Sequence, residues 1–151
     1  MAPEHLSDEL KSAGQAMVQQ LDAIGLRPQG VLWLLFPHVN DWRLTVISDL
    51  VDVLGRSKVY GLIDAALERH NRVEGLTIFD VHLAASAEVV PRVLEGAFQV
   101  ENGLVHLADC KIDGLPVDAV IYRLLPPREG AALTKAAKLF ERSVKRSPVH
   151  P

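Results

Sequence analysis

Residues 103–125 read GLVHLADCKIDGLPVDAVIYRLL, and the way this stretch pairs decides the fold. Asp113-Gly114 divides two apolar halves and tolerates the positive φ of a tight hairpin turn. The stretch predicts two antiparallel strands, with Leu107, Val120 and Tyr122 in the core. Its register has two readings. A two-residue turn sets Ile112 opposite Leu115, Cys110 opposite Val117 and Asp109 opposite Asp118, which opposes two carboxylates. A longer loop centred on Gly114-Leu115-Pro116 removes that clash. Pro116, which has no N–H to give to a ladder, favours the longer loop.

A second hairpin lies upstream. Val31–Phe36 and Trp42–Ile47 are apolar runs separated by Pro37-His38-Val39-Asn40-Asp41, read as a five-residue loop. The second strand alternates Trp42, Leu44 and Val46 with Arg43 and Thr45. The first is apolar on both faces, so it belongs in the sheet interior or against another subunit. On this register Leu32, Leu34 and Phe36 join Trp42, Leu44 and Val46 as the better core face. Trp33, Leu35 and Arg43 then mark the other face, an apolar patch with a polar fringe that suits an interface.

The remaining segments alternate helix and strand. Leu6, Leu10, Ala13, Met17, Leu21 and Ile24 recur at helical spacing and predict a helix over 8–24, capped by Ser7 or Asp8 and stopped by Gly25 and Pro28. Gly14 inside it costs about 1 kcal/mol relative to Ala, which a closely approaching neighbour would justify. Ser48–Leu54 fits helix or strand. Ser57 opens a helix with Val59, Leu62, Ile63 and Ala66 inward, ending near His70-Asn71. A strand follows over 76–83, then a short helix begun between Ser86 and Val90. Pro126-Pro127 breaks the chain before a last helix over 131–146 with Leu133, Ala136, Phe140 and Val144 inward. Residues 147–151 are expected to fray. The order α-β-β-α-β-α-β-β-α predicts one α+β domain over 1–151: a mixed five-stranded sheet with about four helices on it.

Bulk properties narrow the class. A chain of 151 residues, 48% hydrophobic, buries a core without help from metal or disulfide. Cys110 is the only cysteine, which forbids an intrachain disulfide and fits a reducing compartment. MAPEHLSDEL lacks the basic and apolar regions of a secretory leader, and six residues form the longest apolar run. A cytoplasmic location and no membrane contact are expected. Charge is uneven: residues 131–151 hold five bases and one acid, a balance of +4, so the total of −3 leaves −7 on residues 1–130.

Chemistry is sparse. Asp109-Cys110-Lys111 is a D-x-K on a strand, with Asp80 upstream on another. That trio is similar to the metal-dependent nuclease core of the restriction-endonuclease type. The resemblance implies a divalent metal on Asp80 and Asp109, with Lys111 helping to activate water. In that family a helix usually follows the D-x-K strand, whereas here a turn and another strand follow. The favoured reading makes Asp109 and Lys111 solvated hairpin residues. Cys110 and His106, four apart on a strand, stand about 13 Å apart and form no dyad by themselves. His82 from a neighbouring strand is the nearer candidate, against the ordinary reading of an inert core thiol. Histidines 5, 38, 70, 82, 106 and 150 show no zinc spacing, and no G-x-G-x-x-G, P-loop or G-x-S-x-G occurs. The basic last helix suits nucleic acid or an acidic partner, though a solvated face explains it as well.

The sequence thus predicts a binding or accessory protein without a cofactor, acting through homodimer or protein–protein contacts, and leans away from an enzyme. A divalent-metal nuclease or phosphodiesterase using Asp80, Asp109 and Lys111 is the alternative. A small-ligand pocket under the sheet ranks third.

Overall fold

Pairing begins at the middle of the sheet, on the strand that is apolar on both faces. The computed structural model describes residues 6–36, 41–69, 81–85, 100, 103–112 and 115–146, with backbone alone for 36, 68–69, 108–112, 115–117 and 145–146. β1 (Gly30–Phe36) lies between β2 (Asp41–Ile47) and β5 (Leu115–Leu124), antiparallel to both. β3 (Val81–Ala84) extends the sheet beside β2 in parallel, and β4 (Val105–Ile112) closes the other side against β5. The order β3-β2-β1-β5-β4 is a mixed five-stranded sheet, as the sequence predicts. Four described helices accompany it in one α+β unit: α1 (Asp8–Ala23), α2 (Leu50–Leu54), α3 (Arg56–Arg69) and α4 (Gly130–Arg146). The ambiguous 48–54 segment is the short helix α2. The helix expected from Ser86 and the first half of the strand expected over 76–83 lie outside the described residues.

The β1–β2 register corrects the face assignment. Phe36 pairs with Asp41, so four residues, not five, separate the strands. Strand side chains alternate, and a one-residue change sends each one to the opposite face. Trp33 therefore pairs with Leu44, and Leu35 with Trp42. Val31, Trp33, Leu44, Val46, Val81, Leu83, Val120 and Tyr122 form one cluster with the apolar stripes of all four helices. Leu32, Leu34, Ile47, Ala84, Ala119, Ile121 and Leu124 form a second cluster on the opposite face. Val120 and Tyr122 are buried as expected, while Leu107 packs only partly at the margin of the second cluster.

The 103–125 hairpin also departs from the longer-loop reading. Ile112 pairs with Leu115 and Lys111 with Pro116, the register of the two-residue turn. Pro116 is tolerated because a hydrogen-bonded closing pair makes the next pair non-hydrogen-bonded, directing the position where Pro lacks its N–H away from β4. On that side β1 does not reach, its last partner on β5 being Asp118. The register shifts between Leu107 and Cys110, so Ala108 and Asp109 together face Asp118. This bulge takes the two carboxylates out of direct opposition.

A second bulge shapes the junction with α1. Leu32 pairs with Ile121 and Val31 with Arg123, leaving Tyr122 as the extra residue. Consecutive residues of β5 thereby serve the same helix. The Tyr122 hydroxyl donates to the Lys11 carbonyl at 2.6 Å and accepts from Trp33 Nε1 at 3.1 Å. The Arg123 guanidinium grips the Asp22 carboxylate through both terminal nitrogens, at 2.9 and 2.7 Å, and donates to the Pro28 carbonyl. Ser7 caps the start of α1 by accepting from the Leu10 N–H. Its end closes with Leu26 N–H donating to Leu21 and Gly25 N–H to Asp22, and Gly25 takes the positive φ this ending needs.

Gly14 explains its own presence. A Cβ there would fall 2.7 Å from Trp33 Nε1 and closer still to the Tyr122 hydroxyl. Gly14→Ala is expected to destabilise by about 2 kcal/mol, lowering Tm by roughly 4–8 °C, because two buried rings must move. Gly61, on the exposed face of α3, has nothing within 4 Å of its would-be Cβ. Gly61→Ala is expected to raise stability by about 0.5–1 kcal/mol. Urea melts of the two variants measure this opposition of sign.

Candidate functional site

In sheets with parallel strands, ligands gather at the carboxyl ends of those strands. Here that end belongs to β2 and β3, joined by the Ser48 N–H donating to the Ala84 carbonyl. Ser48 and Asp49 are both buried there. Ser48 Oγ accepts from the Leu50 N–H and starts α2, which frees Asp49 from capping. The Asp49 carboxylate, 1% exposed, instead takes three hydrogen bonds from one residue. Arg128 supplies its backbone N–H at 2.8 Å, Nε at 3.0 Å and Nη2 at 2.7 Å. Pro126-Pro127 holds the approach extended and so delivers the Arg128 backbone to that point. The pair clamps the β2–α2 corner to the start of α4.

The sequence reading did not weigh Asp49 or Arg128. A serine and an aspartate directly after an alternating strand, and an arginine directly after a double proline, are the signals. Neither reveals the partner, since 79 residues separate them.

The sites singled out from sequence fall in several places. Trp33, 3% exposed, lies beneath α1, and Leu35, 7% exposed, is buried beside Trp42. Arg43 is exposed, opposite Leu34 rather than Trp33. These three therefore do not form one surface patch. Asp80 lies outside the described residues. Asp109 and Lys111 lie on edge strand β4, their side chains, like that of Cys110, outside the described set. Among the described residues no cluster of three or more His, Cys, Asp or Glu is placed to hold a metal ion, and no helix is long and apolar enough to cross a membrane.

His82 stands on β3 beside Thr45 of β2. Partial desolvation, then the guanidiniums of Arg56 and Arg43, holds its imidazole below the usual histidine range. Burial pushes the Tyr122 phenol up, partly opposed by the hydrogen bond from Trp33. On the sheet's outer margin, the Tyr60 hydroxyl of α3 donates to the Val81 carbonyl at 2.7 Å and accepts from the Leu83 N–H at 2.8 Å. It makes the two contacts that a residue of a further strand would make.

No protein-family model matches the chain, and no curated protein or solved structure matches it either.

Two expectations follow. Arg128→Ala removes the guanidinium and leaves the buried Asp49 carboxylate with the backbone N–H of residue 128 in place of its counter-charge, and is expected to destabilise by about 3 kcal/mol in urea melts. Asp49→Ala strands only a guanidinium that is already 34% exposed, so its loss should be smaller. For His82, the lowered native pKa means that the unfolded chain binds its proton first. Stability should be unaffected well above the usual histidine range and should fall as pH drops through about 6.5. Melts of His82→Gln across pH 5–8 should show a flatter profile than the parent.

Proposed function

We propose that the chain acts by contact, as a homo-oligomer or as an accessory to another protein. One observation carries this reading: Val53, 46% exposed, and Leu139, 51% exposed, stand out from α2 and α4, two helices that pack against each other. Large aliphatic side chains presented by adjoining helices suit the apolar part of a protein contact. The polar pairs described above serve the fold itself. Asp49 with Arg128, Asp22 with Arg123, and Tyr122 with Trp33 each join separate elements of the fold.

The contact surface is then helical, not the Trp33–Leu35 face of the sheet. Trp33→Glu would place a charge beneath α1, so it tests folding and not association. Val53→Asp and Leu139→Glu change exposed positions and leave the core intact. Light scattering over a concentration series is expected to show a dimer at micromolar concentration, weakened by Leu139→Glu without loss of helical circular dichroism. A monomer throughout the series removes the homo-oligomer form and leaves a different protein as the partner.

A further inference from the structure

The five bases of α4 share one side of the helix. At about 100° per residue, Lys135, Lys138, Arg142, Lys145 and Arg146 fall within an arc of about 100°. Leu133, Ala136, Ala137, Phe140 and Val144, which pack into the core, occupy the opposite side. The helix's one acid, Glu141, falls outside the basic arc and pairs with Lys58 Nζ of α3. Lys135, Lys138 and Arg142 are exposed and make no ion pair among the described residues. Like charges three and four residues apart on a helix repel, as do Lys135 with Lys138, Lys138 with Arg142, and Arg142 with Lys145 and Arg146.

Such a stripe is relieved by closely spaced negative charge. From Lys135 to Arg146 it runs about 16 Å along the helix axis, a length over which one strand of a duplex presents about five phosphates. An acidic protein segment supplies carboxylates without that fixed repeat. A lipid surface needs an apolar helix face to insert, and that of α4 is turned into the core, with Leu139 alone left half-exposed beside the bases. A single strand is held largely by stacking on aromatic side chains, and Phe140, the one aromatic residue of α4, is 1% exposed. The phosphates of a duplex need neither feature. The chain's total charge of −3 does not cancel the stripe at contact range, because exposed charges beyond about 8–10 Å are largely screened at ordinary salt.

We infer that the Lys135–Lys138–Arg142 face of α4 binds the sugar–phosphate backbone of a nucleic-acid duplex. Lys145 and Arg146 extend that face at the end of the helix. Phosphate contacts position a protein on a duplex and carry no base sequence, so the binding is sequence-independent. This contact goes beyond the protein–protein reading above and does not use Leu139.

Fluorescence anisotropy of the full chain with a labelled DNA duplex of about 20 base pairs tests it. The expected Kd is on the order of 10 µM at about 50 mM salt, rising about fortyfold or more by about 200 mM as three or more phosphates are neutralised. The double variant Lys138→Gln, Arg142→Gln should weaken binding and lower the salt slope by about two, with unchanged circular dichroism and Tm. A second duplex of unrelated sequence should compete equally. Leu139→Gln should leave the duplex Kd within about twofold, whereas it weakens a protein contact made through that leucine, so the two readings fail separately. Absence of binding at about 50 mM salt with protein up to about 500 µM, or binding that the double variant leaves unchanged, overturns the assignment. Poly-glutamate that displaces the duplex at equal charge also overturns it and makes an acidic protein the partner. Tighter binding to a single strand, or to phosphatidylserine vesicles, overturns it likewise.

Discussion

The close approach of α1 to the sheet governs the rest of the structure. The α1 backbone comes near enough to receive the Tyr122 hydroxyl at the Lys11 carbonyl because Gly14 carries no side chain, and a Cβ there would meet both rings. Tyr122 fills the space this leaves, held from below by the indole of Trp33. Two aromatic residues from neighbouring strands thus share one polar contact with the helix, which satisfies the only polar atoms their rings bring into the core. Tyr122 reaches this position because it is the extra residue of a β-bulge. That bulge also turns Arg123 towards Asp22. A glycine, a bulge and a bidentate ion pair consequently fix one docking geometry, and each loses its purpose without the others.

Electrostatic pairs play a related part at the far end of the sheet. Asp49 belongs to the corner where β2 turns into α2, and Arg128 to the connection that leads from β5 into α4. Their pairing brings the first and last thirds of the chain together at one buried point. Burying a carboxylate is unfavourable unless its oxygens are satisfied, and three converging N–H groups from a single residue meet that demand. The helical layer is positioned from both ends, by α1 over Tyr122 and by α4 behind Arg128.

Much of this was legible in the sequence. The strand composition, the parallel relation of β2 to β3 and the inward stripe of α4 follow from periodicity and from connection lengths. Face assignment did not follow, and the reason is specific. Asp41 reads as a loop residue, yet it pairs with Phe36, and counting it in the loop inverts the β1–β2 faces. Alternation identifies a face only relative to a register, and the register depends on one polar residue at a strand end. The opposed Asp109 and Asp118 were a real signal of irregularity. A bulge resolves it where the sequence argument invoked a longer loop. Asp49 and Arg128 were not legible, because a bidentate pair formed across most of the chain leaves no local pattern.

The hydroxyl of Tyr60 has a consequence for how large an assembly of these sheets can grow. Lateral stacking of strands into a fibre requires every molecule to offer two receptive margins, one to join and one to be joined. On the β3 side the Tyr60 phenol already occupies the outward Val81 carbonyl and Leu83 N–H, so among the described residues the chain's own side chain caps that part of the margin. Among the described residues, a strand from another molecule therefore meets β3 with these two groups already taken, which works against lateral growth through that margin.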